Sequence, residues 1–195
     1  MTQAALDQAV ADASSQLSTD LDSLDSDVKD LPGAAFFSDT LKSYATDWAL
    51  MQKDYQTEYS DYQQGCGPYN SNAIQVQSDA ITVHSDLISI NSDDISMNGD
   101  VMSFNTADIS RVQADMQTVQ SDWATLEAAV AADASGSVSA QFTWGDVNTA
   151  ASKAAKQVDT SNKALSAAQA SVKQYDTEAK QKDTDAQNLV NSMHC

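Results

Sequence analysis

The chain has 195 residues and a formal net charge of -18, because 28 acidic residues face only 10 Lys and Arg. This negative balance disfavours nucleic acid and anionic membranes as direct partners, since their phosphates would be repelled. Only 6 Gly and 2 Pro interrupt the chain, too few for a β protein with frequent turns. No apolar run approaches the roughly 20 residues of a membrane-spanning helix, so we expect no membrane insertion.

The first segment carries an apolar residue every three or four positions from Leu6 to Tyr62, with most Asp residues off this stripe. Such a pattern predicts an amphipathic helix over about 2–64. Leu31-Pro32-Gly33 breaks it at 31–34, because the residue before proline avoids the helical conformation. The stripe crosses the break with a small change of phase, which favours a kink. The alternative, a hairpin here, would give a four-helix bundle.

A strict seven-residue repeat follows the Gly-rich turn around Cys66 and predicts a coiled-coil helix over about 71–134. Its first position, a, is occupied by Ile74, Ile81, Ile88, Ile95, Met102, Ile109, Met116, Trp123 and Val130. Position d, three residues later, is polar in the first five heptads and apolar in the next three (Val112, Val119, Leu126). We expect a and d in the core, with a polar core seam formed by Gln77, His84, Asn91, Asn98 and Asn105.

Two heptads, Ile88-Ser-Ile-Asn91-Ser92 and Met102-Ser-Phe-Asn105-Thr106, resemble stalk heptads of trimeric autotransporter adhesins. The resemblance covers about four heptads and implies asparagines that coordinate anions on a trimer axis. Judged from the residues alone, polar d positions fix helix register and pairing at some cost in stability. We expect this second role here, because three different helices would share the core.

A second apolar row lies at position c, roughly 200° around the helix from position a. It consists of Val76, Val83, Ile90, Met97 and Phe104. Either this half of the helix is sandwiched between two neighbouring helices, which we favour, or the c row is an interface for self-association or a partner. The alternation of Ile-x-Val and Ile-x-Ile also permits a β-solenoid.

The third segment, over about 140–193, has small residues at many stripe positions and carries six of the chain's lysines. Short turns join the three segments, so neighbours in sequence should be antiparallel. We therefore predict an all-α fold with a single domain, residues 1–195. Its expected architecture is an elongated antiparallel up-down-up three-helix bundle, or coiled coil, with a kinked first helix.

The two cysteines, Cys66 and Cys195, lie at segment ends that this topology would bring together. We predict a disulfide between them, and with it a secreted or cell-surface location. A cytoplasmic location with free thiols is the alternative. The N-terminal residues lack the basic head and apolar core of a signal peptide, so we expect a mature chain without one.

The catalytic inventory is small: two His, three Glu, and no Cys-x-x-Cys, Glu-x-x-His or Gly-rich phosphate loop. Residues 94–105 match part of an EF-hand loop but place Asn where the bidentate Glu belongs. We predict no enzyme activity, no cofactor and no metal site. The expected role is a structural or spacer protein that acts through protein partners or self-association. The alternative is a module that binds a peptide or glycan through aromatic residues (Trp48, Tyr55, Tyr59, Tyr62 and Tyr69).

Overall fold

The structure, a computed structural model, describes residues 2–104, 106–132 and 141–195. These residues form α-helices and short 3-10 turns without a β-strand, which confirms the all-α class and gives the β-solenoid no support there. The helices are α1 (Gln3–Asp30), α2 (Ser38–Gln63), α3 (Ser71–Ser103), α4 (Thr106–Ala132) and α5 (Trp144–Ser192). Single 3-10 turns, Ala34–Phe37 and Pro68–Asn70, precede α2 and α3.

Contacts between helices divide the chain into two compact units, whereas the sequence predicted one domain. Unit 1 comprises the described residues of Met1–Gly33 and Asn105–Lys163, and so contains α1, α4 and the first part of α5. Unit 2 comprises Ala34–Phe104 and Ala164–Cys195, with α2, α3 and the rest of α5. Each unit is therefore built from three helical segments packed together.

The first helix break lies within the predicted range. α1 starts after Thr2, whose hydroxyl caps the backbone N–H of Ala5 at 3.3 Å. It ends at Leu31, which adopts the extended conformation that a following proline imposes. Beyond the helix end, the buried hydroxyl of Ser161 donates to the Pro32 carbonyl at 2.6 Å. A side chain of α5 thus satisfies a backbone carbonyl that lies beyond the end of α1 and has no partner within that helix.

A second break, at Phe104, was not predicted: the repeat indicated one helix over 71–134. Phe104 has a ψ of 78°, outside the helical range, and separates α3 from α4. The buried positions of the repeat also change there. In α3 the buried row is c, as at Ile90, whereas in α4 it is d, as at Val119. The same seven-residue repeat therefore contributes position c to the core of unit 2 and position d to the core of unit 1.

The core of unit 1 is aliphatic. Its described residues are Val10, Ala13, Leu17, Leu24, Val28, Leu31, Ile109, Val112, Val119, Leu126, Val147, Ala151, Ala154 and Val158. Ion pairs border this core: Lys153 lies 2.5 Å from Asp25, and Arg111 lies 2.7 Å from Asp27. The pairs are largely solvated and contribute little to stability, so the helices of unit 1 are held mainly by apolar burial.

The core of unit 2 contains stacked aromatic rings. Phe37 and Phe104 stack with centroids 5.1 Å apart, and Tyr44 stacks on Tyr175 of α5 at 5.6 Å. The Tyr44 hydroxyl donates to Asp94 of α3, and burial raises the pKa of this phenol. Tyr44 of α2 thereby contacts both α3 and α5. Phe104 also explains the break, because its ring fills this cluster where the helix ends.

A disulfide links Cys66 to Cys195, the pair predicted from the sequence, with Cα atoms 5.6 Å apart. The neighbouring Ser192 hydroxyl donates to the Tyr62 hydroxyl at 3.1 Å, so the end of α5 lies beside the end of α2. In the turn that follows, Gly67 has a φ of 61°, a conformation that glycine adopts at little cost.

Candidate interaction surface

The apolar a row of α3 is exposed, contrary to the prediction that it forms the core. The exposed fractions are 67% for Ile74, 63% for Ile81, 59% for Ile88, 74% for Ile95 and 84% for Met102. These residues recur every seven positions along one side of the helix and include no small side chain. Isolated exposed apolar residues are ordinary, but a row of five over eight helical turns is not.

The polar core seam is also wrong in its placement. Gln77, His84, Asn91 and Asn98 are all exposed, and Asn105 lies outside the described residues. Instead the c row is buried, with Val76, Val83, Ile90, Met97 and Phe104 at most 2% exposed. These residues form the core of unit 2 and are not available as a partner interface.

The reason lies in the number of apolar residues per heptad. A core built on positions a and d would pair each apolar a residue of α3 with a polar d residue. A core built on c and g pairs the c row with a second apolar residue in three of four heptads (Ala80, Leu87 and Val101). This choice also removes the aspartates of position f partly from water, on the side that α2 contacts.

The exposed side of α3 carries almost no charge. Between Ile74 and Ser103, all of which the structure describes, 18 residues are exposed, and they occupy positions a, b, d and e. None of them is Asp, Glu, Lys or Arg; the residues beside the a row are Ser, Thr, Gln, Asn, Gly and one His. We call these 18 residues the α3 face. Its neutrality stands out in a chain with a net charge of -18.

The aspartates of α3 lie instead on the side that contacts α2. Asp79, Asp86, Asp93 and Asp100 recur at position f, and each is buried or half-buried. The Ser43 hydroxyl donates to Asp93 at 2.8 Å, and the Thr40 hydroxyl donates to Asp100. The usual pattern of a surface helix, apolar inside and charged outside, is therefore partly inverted in α3.

Two of these aspartates meet carboxyls of α2. Asp86 faces Asp54, and Asp79 faces Asp61, at hydrogen-bonding range. Burial, followed by repulsion from Asp54, raises the pKa of Asp86 to about 6. Among the described residues, one oxygen of Asp86 and one of Asp79 have no hydrogen-bond donor. Removing carboxylates from water without a donor is costly, so these groups take up protons more readily than usual.

Glu58 of α2 is the most perturbed carboxyl. It is fully buried, and neither of its side-chain oxygens has a hydrogen-bond donor within the described part of the chain. Burial raises the pKa of Glu58 to about 7, and the nearby charges of Asp79 and Asp183 add to this rise. The side chain is thus protonated over part of the physiological pH range.

Unit 1 repeats the arrangement between α1 and α4. Asp122 and Asp20 are within hydrogen-bonding distance, which raises the pKa of Asp122 to about 6 and lowers that of Asp20. Such a pair shares one proton, because two adjacent carboxylates repel each other. Burial and Asp27 similarly raise the pKa of Asp115. These carboxyls therefore make the contact between α1 and α4 sensitive to pH.

The aromatic residues near the Cys66 turn differ in how accessible they are. Tyr69 is fully exposed and Tyr59 is 41% exposed. By contrast, the Lys182 ammonium covers the ring of Tyr55 at 4.3 Å from its centroid. Within residues 2–104, 106–132 and 141–195, no three His, Cys, Asp or Glu side chains are grouped to hold a metal ion. None of the described helices has an apolar stretch long enough to cross a bilayer.

The fold and surface define an all-helical protein with two compact units and one neutral, apolar helix face. No protein-family model, curated protein or solved structure matches the chain.

Proposed function

We propose that the protein is a non-enzymatic structural or spacer protein that works through protein–protein contacts. The observation that supports this role is the α3 face, where five large apolar residues are exposed on a neutral surface. Exposed apolar rows of this length are typical of protein interfaces. The carboxyls with a raised pKa are consistent with a structural role, because they are buried or half-buried between helices.

An up-down-up order of segments within each unit is part of this proposal. In unit 2, partners run in opposite directions along α2 and α3: Thr40 contacts Asp100, and Tyr44 contacts Asp94. Along α2 and α5 the contacts run in the same direction: Tyr44 stacks on Tyr175, and Tyr55 lies under Lys182. This order would leave one side of α3 free for a partner.

We also propose that the protein works in an oxidising compartment, either secreted or at the cell surface. The support is the Cys66–Cys195 disulfide, since such bonds persist mainly where thiols are not kept reduced. Alkylation of the protein under denaturing conditions, directly after isolation from its source cells, tests this location. Two alkylated thiols would contradict it.

A second candidate is a binding module for a peptide or glycan at the aromatic residues of the turn. Tyr69 favours it, because a fully exposed tyrosine offers an apolar ring and a hydroxyl to a ligand. A Tyr69→Ala variant that loses binding in a peptide and glycan array would support this candidate. The α3 face would then have no part in recognition.

Photocrosslinking in the source cells tests the leading proposal. A photoreactive amino acid replaces Ser92 on the α3 face, and the control replaces Thr125, which is exposed on α4. We expect protein adducts at position 92, with few at position 125. Equal labelling at both positions, or no protein adduct at 92, would contradict a protein contact on this face.

A further inference from the structure

We propose that the partner on the α3 face is a second copy of this chain, docked α3 against α3. This inference rests on the proposed function and names its partner. Three properties of the α3 face support it: the period of its apolar row, its charge, and the number of its residues.

The period of the row fits another helix. Ile74, Ile81, Ile88, Ile95 and Met102 repeat every seven residues, which corresponds to 3.5 residues per turn. This spacing keeps an apolar seam in register with a second helix that wraps around the first. The row spans about 42 Å at 1.5 Å per residue, a length that a helix of the same kind can match throughout.

The charge of the face selects a second copy. Most exposed surfaces of a chain with a net charge of -18 repel another copy. The α3 face has no Asp, Glu, Lys or Arg, so two copies can approach there without placing like charges opposite each other. An oppositely charged partner gains little on this face, because the carboxylate at its edge, Asp183 of α5, already lies 2.9 Å from His84.

The polar residues beside the row can also pair with the same residues of a second copy. The amides of Gln77, Asn91 and Asn98 each donate and accept hydrogen bonds, and so can pair with identical amides. Serines and Thr82 at positions b and e have the same dual capacity. Polar residues at d then fix the register of the pair, the role the sequence suggested for them within one chain.

The number of residues on the α3 face approaches what a stable pair needs. A standard interface buries about 800 Å² and roughly 20–30 residues on each partner. The α3 face contributes 18 exposed residues, with Ile81, Ile88 and Ile95 at its centre. Apolar residues at the centre of an interface carry most of its affinity, which makes these three the residues to change.

The test is sedimentation equilibrium of the full chain over a range of concentrations. We expect the native protein to form a dimer of the 20.8 kDa chain. The variant Ile81→Ser/Ile88→Ser/Ile95→Ser should dissociate with a Kd raised about a hundredfold or more. The control Leu50→Ser changes an exposed leucine on α2, 46% exposed, and should leave the Kd unchanged. Circular dichroism should show equal helix content, since no changed residue is buried.

Cysteine crosslinking adds an independent readout. Ile88→Cys should form an intermolecular disulfide under mild oxidation, whereas Leu50→Cys should not; peptide mapping checks that Cys66–Cys195 is retained. A native protein that is monomeric at about 200 μM, or a dimer that persists in the triple variant, would overturn the inference. Protein adducts at Ser92 in cells together with a monomer in solution would preserve the proposed function and exclude the second copy.

Discussion

Replacing Glu58 by Gln isolates the energetic cost of one buried carboxylate. The side chain is fully buried without a hydrogen-bond donor to its oxygens in the described structure. Gln has nearly the same shape and no charge. The variant should therefore be more stable than the native protein wherever Glu58 is ionised.

The magnitude follows from the pKa of Glu58, which burial raises from 4.5 to about 7. A carboxyl with a raised pKa binds its proton more tightly in the folded state. Its favourable contribution is complete below its unfolded value and is lost as the pH rises through about 7. The difference corresponds to about 3 kcal/mol at pH values above 7. Asp86 and Asp122, each with a pKa raised to about 6, should extend the same trend.

Urea unfolding followed by circular dichroism measures this effect. At about pH 8 the Glu58→Gln midpoint should exceed that of the native protein by about 1 M, given an m-value near 3 kcal/mol/M. At about pH 4.5 the two midpoints should nearly coincide. The control, Glu127→Gln, changes an exposed residue of α4 and should shift the midpoint little at either pH. Equal midpoints at pH 8, or a native protein that gains stability between pH 5 and 8, would refute the reasoning.

Four further changes test the packing by urea unfolding in dilute solution. Ile88→Asp should cost less than about 0.5 kcal/mol because Ile88 is exposed, whereas Ile90→Asp should cost roughly 3–5 kcal/mol by burying an unpaired charge. A larger cost for Ile88→Asp than for Ile90→Asp would indicate that the a row of α3 is buried and the c row is exposed. Phe104→Ala should cost roughly 3–5 kcal/mol through a cavity in its aromatic cluster; a cost below 1 kcal/mol would contradict that packing. Reducing Cys66–Cys195 should cost roughly 2–5 kcal/mol, and an unchanged midpoint would show that the link is dispensable.

The helices and their ends were largely readable from the sequence where the signal is local. Proline fixes the conformation of its neighbour, so Pro32 marked the end of α1 without knowledge of the rest of the fold. The Gly-rich turn at Cys66 was equally clear, and the pairing with Cys195 followed from the ends of the segments. Phe104 gave no such local signal, because its break depends on aromatic rings of another segment.

The face that α3 buries was mispredicted because the regular a row was given more weight than its polar neighbours. The sequence does contain the needed information: Ala80 and Leu87 extend the c row, whereas Asn91 and His84 interrupt the alternative core. Counting the apolar residues at position g together with those at c would have indicated the correct side. The acid pairs, such as Asp54 with Asp86, could not be found this way, since they depend on the register between two helices.

The change of phase at Phe104 has a consequence for how this chain can vary over evolutionary time. The same column of the repeat holds Ile81, which faces solvent, and Ile109, which is buried in unit 1. Folding of a single chain restricts the size and polarity of the side chain at position 109, but hardly restricts the side chain at position 81. In diverged descendants, polar residues should therefore accumulate at position 81 unless selection for association maintains an aliphatic side chain. Retained isoleucines in that column would record a contact that packing within one molecule does not require.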